Sequence, residues 1–245
     1  MSPLDSTPSA LAIQPLFPVA LGRLQRWPDP LELAQQIQAL HQLRGEARSN
    51  PDPDCAWTGD LHGVWRLHEH PTFAPLIREL CRHALDYLTQ LGFDPARLAL
   101  HIQRCWPVLS EPGQVVGRHH HPNAHLSAVY YLNGDGSGRS GCLRLFPQVQ
   151  PNELVPGLAV GHGGPIAHPD PWNQPWLEVA PRAGLLLLFP SRLDHSVLPN
   201  GDPDDLRCSL SIDFALSAPL PVQTTEPPAE YLAPHPSLWT PLAGR

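Results

Sequence analysis

The chain has 245 residues, 42% hydrophobic and 16% charged, a balance that builds one packed core with room for supporting helices but not two comfortable domains. Its formal net charge of −7, with 16 Lys and Arg against 23 Asp and Glu, excludes a sequence-independent grip on nucleic acid or on an anionic membrane surface. No apolar run approaches the ~20 residues of a membrane span, and five cysteines without a C-x-x-C pair read as reduced thiols of a cytoplasmic protein.

Residues 1–10, MSPLDSTPSA, lack a basic start and a long apolar stretch, so they read as a disordered leader and not a signal peptide. LAIQPLFPVAL (11–21) reads as an edge strand, because its prolines cannot donate to a ladder. A helix then starts at Asp29 as N-cap, with Pro30 in the first position and Glu32 able to close a capping box. Leu33, Ile37, Leu40 and Arg44 keep helical spacing until Gly45. The turn-rich segment 47–67 offers Trp57 and Trp65 as packing anchors. A second helix over 73–91 buries Leu76, Leu80, Ala84, Leu88 and Leu91 in one stripe and stops at Gly92. Both helices are expected to brace the outside of a sheet.

From residue 98 the period changes from helix to strand. LALHIQRCW (98–106) alternates, SEPGQ turns, and VVGRHHH leads into a loop where Pro122 ends regular pairing. NGDGSGRSG (133–141) is a glycine-rich turn between strands; no helix follows it, so it makes no phosphate cradle. CLRLF is a strand. The Pro- and Gly-rich stretch 147–175, which carries Trp172, reads as a lid or rim over a cleft. LLLLFPS (185–191) is a buried strand and RCSLSIDF (207–214) the last one, followed by a Pro-rich tail, 217–245, outside any site.

The chemistry concentrates in two places. In RHHHPNAHLSAVYYLN (118–133), His119 and His121 stand at i and i+2, on one side of an extended chain, while His120 faces the other way. Two neutral imidazoles so placed can bind one ion from adjacent corners, and imidazole suits iron, zinc, copper and nickel. His195, where the chain leaves the buried strand, is the best candidate for a third ligand. Twelve residues on, Arg207, Ser209 and Ser211 alternate with apolar residues, and Arg followed by Ser at i+2 offers a fork for a carboxylate plus one further donor. His125 reads first as a surface or core residue, with reaching the site or lining a cleft beside it as the alternatives, and the other histidines read as surface or core residues.

The stretch 118–214 resembles the iron(II)- and 2-oxoglutarate-dependent oxygenases, more closely a small bacterial and phage group with H-x-H-P-N followed by L-S-x-V-Y-Y. VYYLN, SGCLRLFP, LLFPS, DHSVLPN and RCSLS also resemble the prolyl-hydroxylase branch, in the same order. HIQRCWPVLSEPGQ matches more loosely upstream. The resemblance implies a mainly β fold with flanking helices, the double-stranded β-helix or jelly roll, spanning 11–216. It implies an enzyme that binds iron(II) and 2-oxoglutarate, consumes dioxygen, and hydroxylates a small molecule or amino-acid side chain with release of succinate and carbon dioxide. By position, His119, His121 and His195 would be the metal ligands, Arg207 and Ser209 would hold the distal carboxylate of 2-oxoglutarate, and Tyr131 would donate a hydrogen bond to it.

One departure matters. Most of the superfamily has H-x-D or H-x-E, whereas this chain has H-x-H, which leaves a dication without a protein carboxylate. Either His121 is a third nitrogen ligand, or it is displaced and leaves a position open, as for a halide. Two other readings stay open: a three-His cupin-like dioxygenase or isomerase that uses no 2-oxoglutarate, and a binding module in which the His cluster is structural.

Overall fold

The computed structural model describes residues 11, 13–150, 152–155, 157–158, 165–221 and 232–242. The expected leader, 1–10, lies outside them. Among the described residues, ten strands make two antiparallel sheets, with two α-helices on one outer face. The larger sheet contains β1 (Gly22–Gln25), β2 (Trp57–Thr58), β3 (Ala99–Ser110), β5 (Leu126–Tyr131), β8 (Leu185–Pro190) and β10 (Arg207–Ser217). Its order is β1-β8-β5-β10-β3-β2. The smaller contains β4 (Val116–His119), β6 (Leu143–Leu145), β7 (Leu177–Val179) and β9 (His195–Val197), in the order β4-β9-β6-β7. The arrangement is the double-stranded β-helix, a jelly-roll architecture.

The pleat divides each central strand between two cores. On β5, β8 and β10 one set of alternate residues, including Ala128, Tyr130, Leu186, Leu188, Leu210 and Ile212, packs with Leu40, Leu76, Leu80 and Ala84 of the helices. The intervening residues, Val129, Tyr131, Leu187 and Phe189, face the smaller sheet and pack on Leu143, Leu145 and Val197. LLLLF is therefore apolar at every position because both faces of β8 are covered. On β10 the face toward the smaller sheet is polar instead: Arg207, Ser209, Ser211, Asp213.

Helix α1 (Pro30–Glu46) begins where expected, with Asp29 Oδ1 accepting from the Leu31 and Glu32 amides. The Glu32 carboxylate takes the Gln36 side-chain amide, one turn on, and closes no capping box. The helix runs one residue past Gly45, to a cap at Ala47. Helix α2 (Ala74–Gln90) buries Leu76, Leu80, Ala84 and Leu88; Leu91 falls outside the helix and is exposed.

The edge strand comes later than its prolines suggest. Residues 13–21 are irregular, and β1 starts at Gly22, paired to β8 as Gly22↔Leu188. A Cβ at Gly22 would lie 2.8 Å from the Tyr87 ring, so only glycine lets the strand pass under α2 at that point. Trp57 is a buried anchor, while Trp65 is exposed beneath the Arg66 guanidinium.

Candidate metal centre

His119 and His195 face each other across the β4–β9 ladder, with ring centroids 4.3 Å apart. His121 lies two residues past the end of β4. Its amide donates to Ser191 O at 2.9 Å, which pins the loop to the end of β8. Its ring stacks 5.1 Å from His119 and meets His195 edge-on at 5.0 Å. One ligand atom from each of the three lies within 4.8 Å of the others, the one such cluster among the described residues.

Each imidazole is oriented through its other nitrogen. His119 Nδ1 is 2.7 Å from Gly117 O, His195 Nδ1 is 2.9 Å from Leu193 O, and His121 Nδ1 is 2.6 Å from Asp213 Oδ1. All three partners accept, so each ring carries its proton on Nδ1 and leaves the Nε2 lone pair free. Burial, then the neighbouring imidazole of His119, pushes His195 down to about 3. Burial also lowers His119. Neutral imidazole is the ligating form, so these two rings are ready to bind metal at neutral pH.

Asp213 is a functional candidate that the sequence reading did not single out. It is fully buried in the middle of the larger sheet, flanked directly by Arg104 on β3 and Ser127 on β5. Its Oδ2 accepts from Arg104 Nη2 at 2.7 Å, and its Oδ1 from Ser127 Oγ at 2.8 Å and from His121. Burial pushes this carboxyl up, but the His121, Ser127 and Arg104 bonds outweigh it and hold it below the usual range. The signal was present in sequence, since Asp213 continues the alternation Arg207, Ser209, Ser211.

Further along that face the same cavity is lined by Arg207, Ser209 and Ser211, with Thr58, Trp106, Val129, Leu143 and Phe189 closing it. Arg207 is 1% exposed. Its Nη1 reaches Ser209 Oγ at 3.3 Å and its Cζ lies 5.1 Å from the Tyr131 ring centre. Among the described residues no carboxylate pairs with it, its Nε has no hydrogen-bond partner, and the buried Tyr131 hydroxyl has only the guanidinium beside it. A buried cation without a counter-charge costs several kcal/mol, so this end of the cavity fits an anionic oxygen ligand. The donors at the other end fit a divalent transition metal.

Other expectations resolve away from the centre. His125 is exposed, with its Nδ1 accepting from the Leu216 amide, and His120 pairs with Asp194. The described residues of 147–175 do not line the cavity. His162 lies outside the described residues.

Residues 104–213 match the family described as "Putative 2OG-Fe(II) oxygenase". Over that span, a little under half of the chain, the sequence is similar to the 2OG-Fe(II) oxygenase family. That family uses iron(II) and 2-oxoglutarate, and the donors at the two ends of the cavity fit both. The fold is shared with solved structures of low identity. A Pseudomonas putida prolyl-4-hydroxylase is 20% identical with a TM-score of 0.52, covering 80% of this chain and 92% of that one. The non-heme alpha-ketoglutarate-dependent epimerase SnoN from nogalamycin biosynthesis is 18% identical with a TM-score of 0.51, covering 89% and 91%. AviO1 from Streptomyces viridochromogenes Tue57 is 18% identical with a TM-score of 0.53, covering 86% and 92%. No curated protein matches the chain.

Proposed function

We propose that the protein is a 2OG-Fe(II) oxygenase and a hydroxylase: it oxidises an unactivated C–H bond of a small molecule or amino-acid side chain, releasing succinate and carbon dioxide. In this reading His119, His121 and His195 hold the metal through Nε2. Arg207 and Ser209 hold the distal carboxylate of 2-oxoglutarate, and the Tyr131 hydroxyl donates to the same group. The observation that carries the reading is the buried Arg207, without a carboxylate partner among the described residues, lining one cavity with the three convergent imidazoles. A metal site that used no keto acid would have no use for that guanidinium.

Iron(II) with 2-oxoglutarate supplies dioxygen activation coupled to decarboxylation. The chain's own residues bind, orient and exclude water. The Nδ1 bonds to Gly117, Leu193 and Asp213 preset the three rings, so little ordering is left to be done on binding. Val129, Leu143, Phe189 and Val197 form the dry wall of the cavity, where a guanidinium–carboxylate pair is stronger than in water. Residues 11–216 act as one oxygenase domain in this reading. Among the described residues no helix is long and apolar enough to cross a membrane. All five cysteines are free, which supports a reducing, cytoplasmic setting.

The test is oxygen uptake and succinate release by iron(II)-loaded protein, with and without 2-oxoglutarate, against a panel of amino acids and small metabolites. Stoichiometric succinate and a product 16 mass units heavier, about the mass of one oxygen atom, are expected. Oxygen uptake indifferent to 2-oxoglutarate would overturn the reading in favour of a three-His dioxygenase.

A further inference from the structure

We propose that Asp213 is a positioning residue of the metal centre, supplying from behind His121 the negative charge that H-x-D and H-x-E sites place on the metal itself. The inference rests on the reading that the three histidines hold the metal. Three neutral imidazoles bring no charge to a dication. The nearest buried carboxylate is at the back of one of them, 2.6 Å from His121 Nδ1 and fully enclosed. Every other group in contact with it donates: Ser127 Oγ to Oδ1 and Arg104 Nη2 to Oδ2. No proton is needed on the carboxylate to satisfy any neighbour, so it stands as an anion.

The backbone around Asp213 is built to hold it still. Asp213 lies opposite Arg104 on one side and Ser127 on the other, in the centre of a six-stranded sheet. Immediately beyond it the β10–β3 register slips, Asp213 pairing with Arg104 but Phe214 with Ile102. Such a bulge re-aims side chains next to it. Arg104 continues the chain of contacts, its Nη1 lying 3.0 Å from Asp60 Oδ2 and its guanidinium 4.9 Å from the centre of the Trp106 ring. The result is a rigid carboxylate that selects one tautomer of His121, directs Nε2 at the centre, and makes the ring a stronger donor by drawing on its Nδ1 proton.

A purely structural role is the competing account, since Asp213 also pairs with Arg104. Asp60 separates the two, because it pairs with the same guanidinium without touching His121. The experiment compares wild type, Asp213→Asn and Asp60→Asn for anaerobic iron(II) affinity by chelator competition and for the iron(III)/iron(II) potential. Asp213→Asn is expected to weaken iron(II) binding by about 10- to 100-fold and to raise the potential, because the ferric form loses its nearest negative charge. Asp60→Asn should change affinity by no more than about threefold. Equal affinity and potential in Asp213→Asn and wild type, or equal losses in both variants, would overturn the proposal. Should Asp213→Asn fail to fold, long-range 1H–15N spectra of the metal-free wild type decide. His121 protonated at Nδ1 is expected, and protonation at Nε2 would overturn the proposal. His195→Ala keeps the two readings apart: if it too binds iron like wild type, the metal site itself is wrong.

Discussion

Replacing Arg207 with Met separates a guanidinium kept for a ligand from one kept for the fold. Arg207 is 1% exposed, has no carboxylate partner among the described residues, and leaves its Nε unsatisfied. Removing one partner of a buried charge pair costs about 3 kcal/mol or more, so 2-oxoglutarate should bind on the order of 10²-fold more weakly. Saturation at 100 times the dissociation constant stabilises a protein by about 2.7 kcal/mol. For a chain of this size that raises the melting temperature by about 5–10 °C. Differential scanning fluorimetry of the anaerobic iron(II) protein should show that shift in wild type and lose it in Arg207→Met. The ligand-free variant should melt at or above wild type, because Met relieves an uncompensated charge at little cost in shape. A ligand-free variant that melts far below wild type, or one that keeps the full shift with 2-oxoglutarate, would refute the reasoning.

Three further outcomes follow from the same geometry. His195→Ala removes the most deeply buried ligand and should abolish stoichiometric iron binding, measured by metal analysis after gel filtration, while leaving the circular dichroism spectrum unchanged. His195 sits near pKa 3 in the folded protein, against about 6.5 unfolded. The unfolded chain therefore binds the extra proton, and stability present above about pH 6.5 is lost as pH falls toward 3, at up to about 1.4 kcal/mol per unit; chelated wild type should show a steeper fall in melting temperature than chelated His195→Ala. Burial pushes the Cys208 thiol up to about 12 and raises the Cys105 thiol too. Both should resist a thiol reagent at pH 8 until denaturant is added, and mass mapping of labelled peptides will show it.

Sequence order exposed the donors well and their surroundings poorly. His119, His121, His195 and Arg207 were legible because strand periodicity and a shared order of motifs both point at them. Asp213 continues the same alternation, but nothing local says that a loop histidine 92 residues away settles on it. That contact depends on two sheets closing over each other. Thr58 and Trp106 line the cavity from strands whose role is set by long-range pairing, one of them only two residues long. The shifted edge strand has the same origin: proline argued for an edge, while the pairing partner Leu188 and the Tyr87 ring fix where the ladder begins. The helices, whose caps and stripes are local, were read to within a few residues.

In the proposed site one cavity binds metal and keto acid together. An anaerobic optical titration of the iron(II)-loaded protein with 2-oxoglutarate tests it most directly. A saturable metal-to-ligand charge-transfer band is expected, with a midpoint that moves to much higher 2-oxoglutarate in Arg207→Met. Bound iron with no band at any 2-oxoglutarate concentration would contradict it.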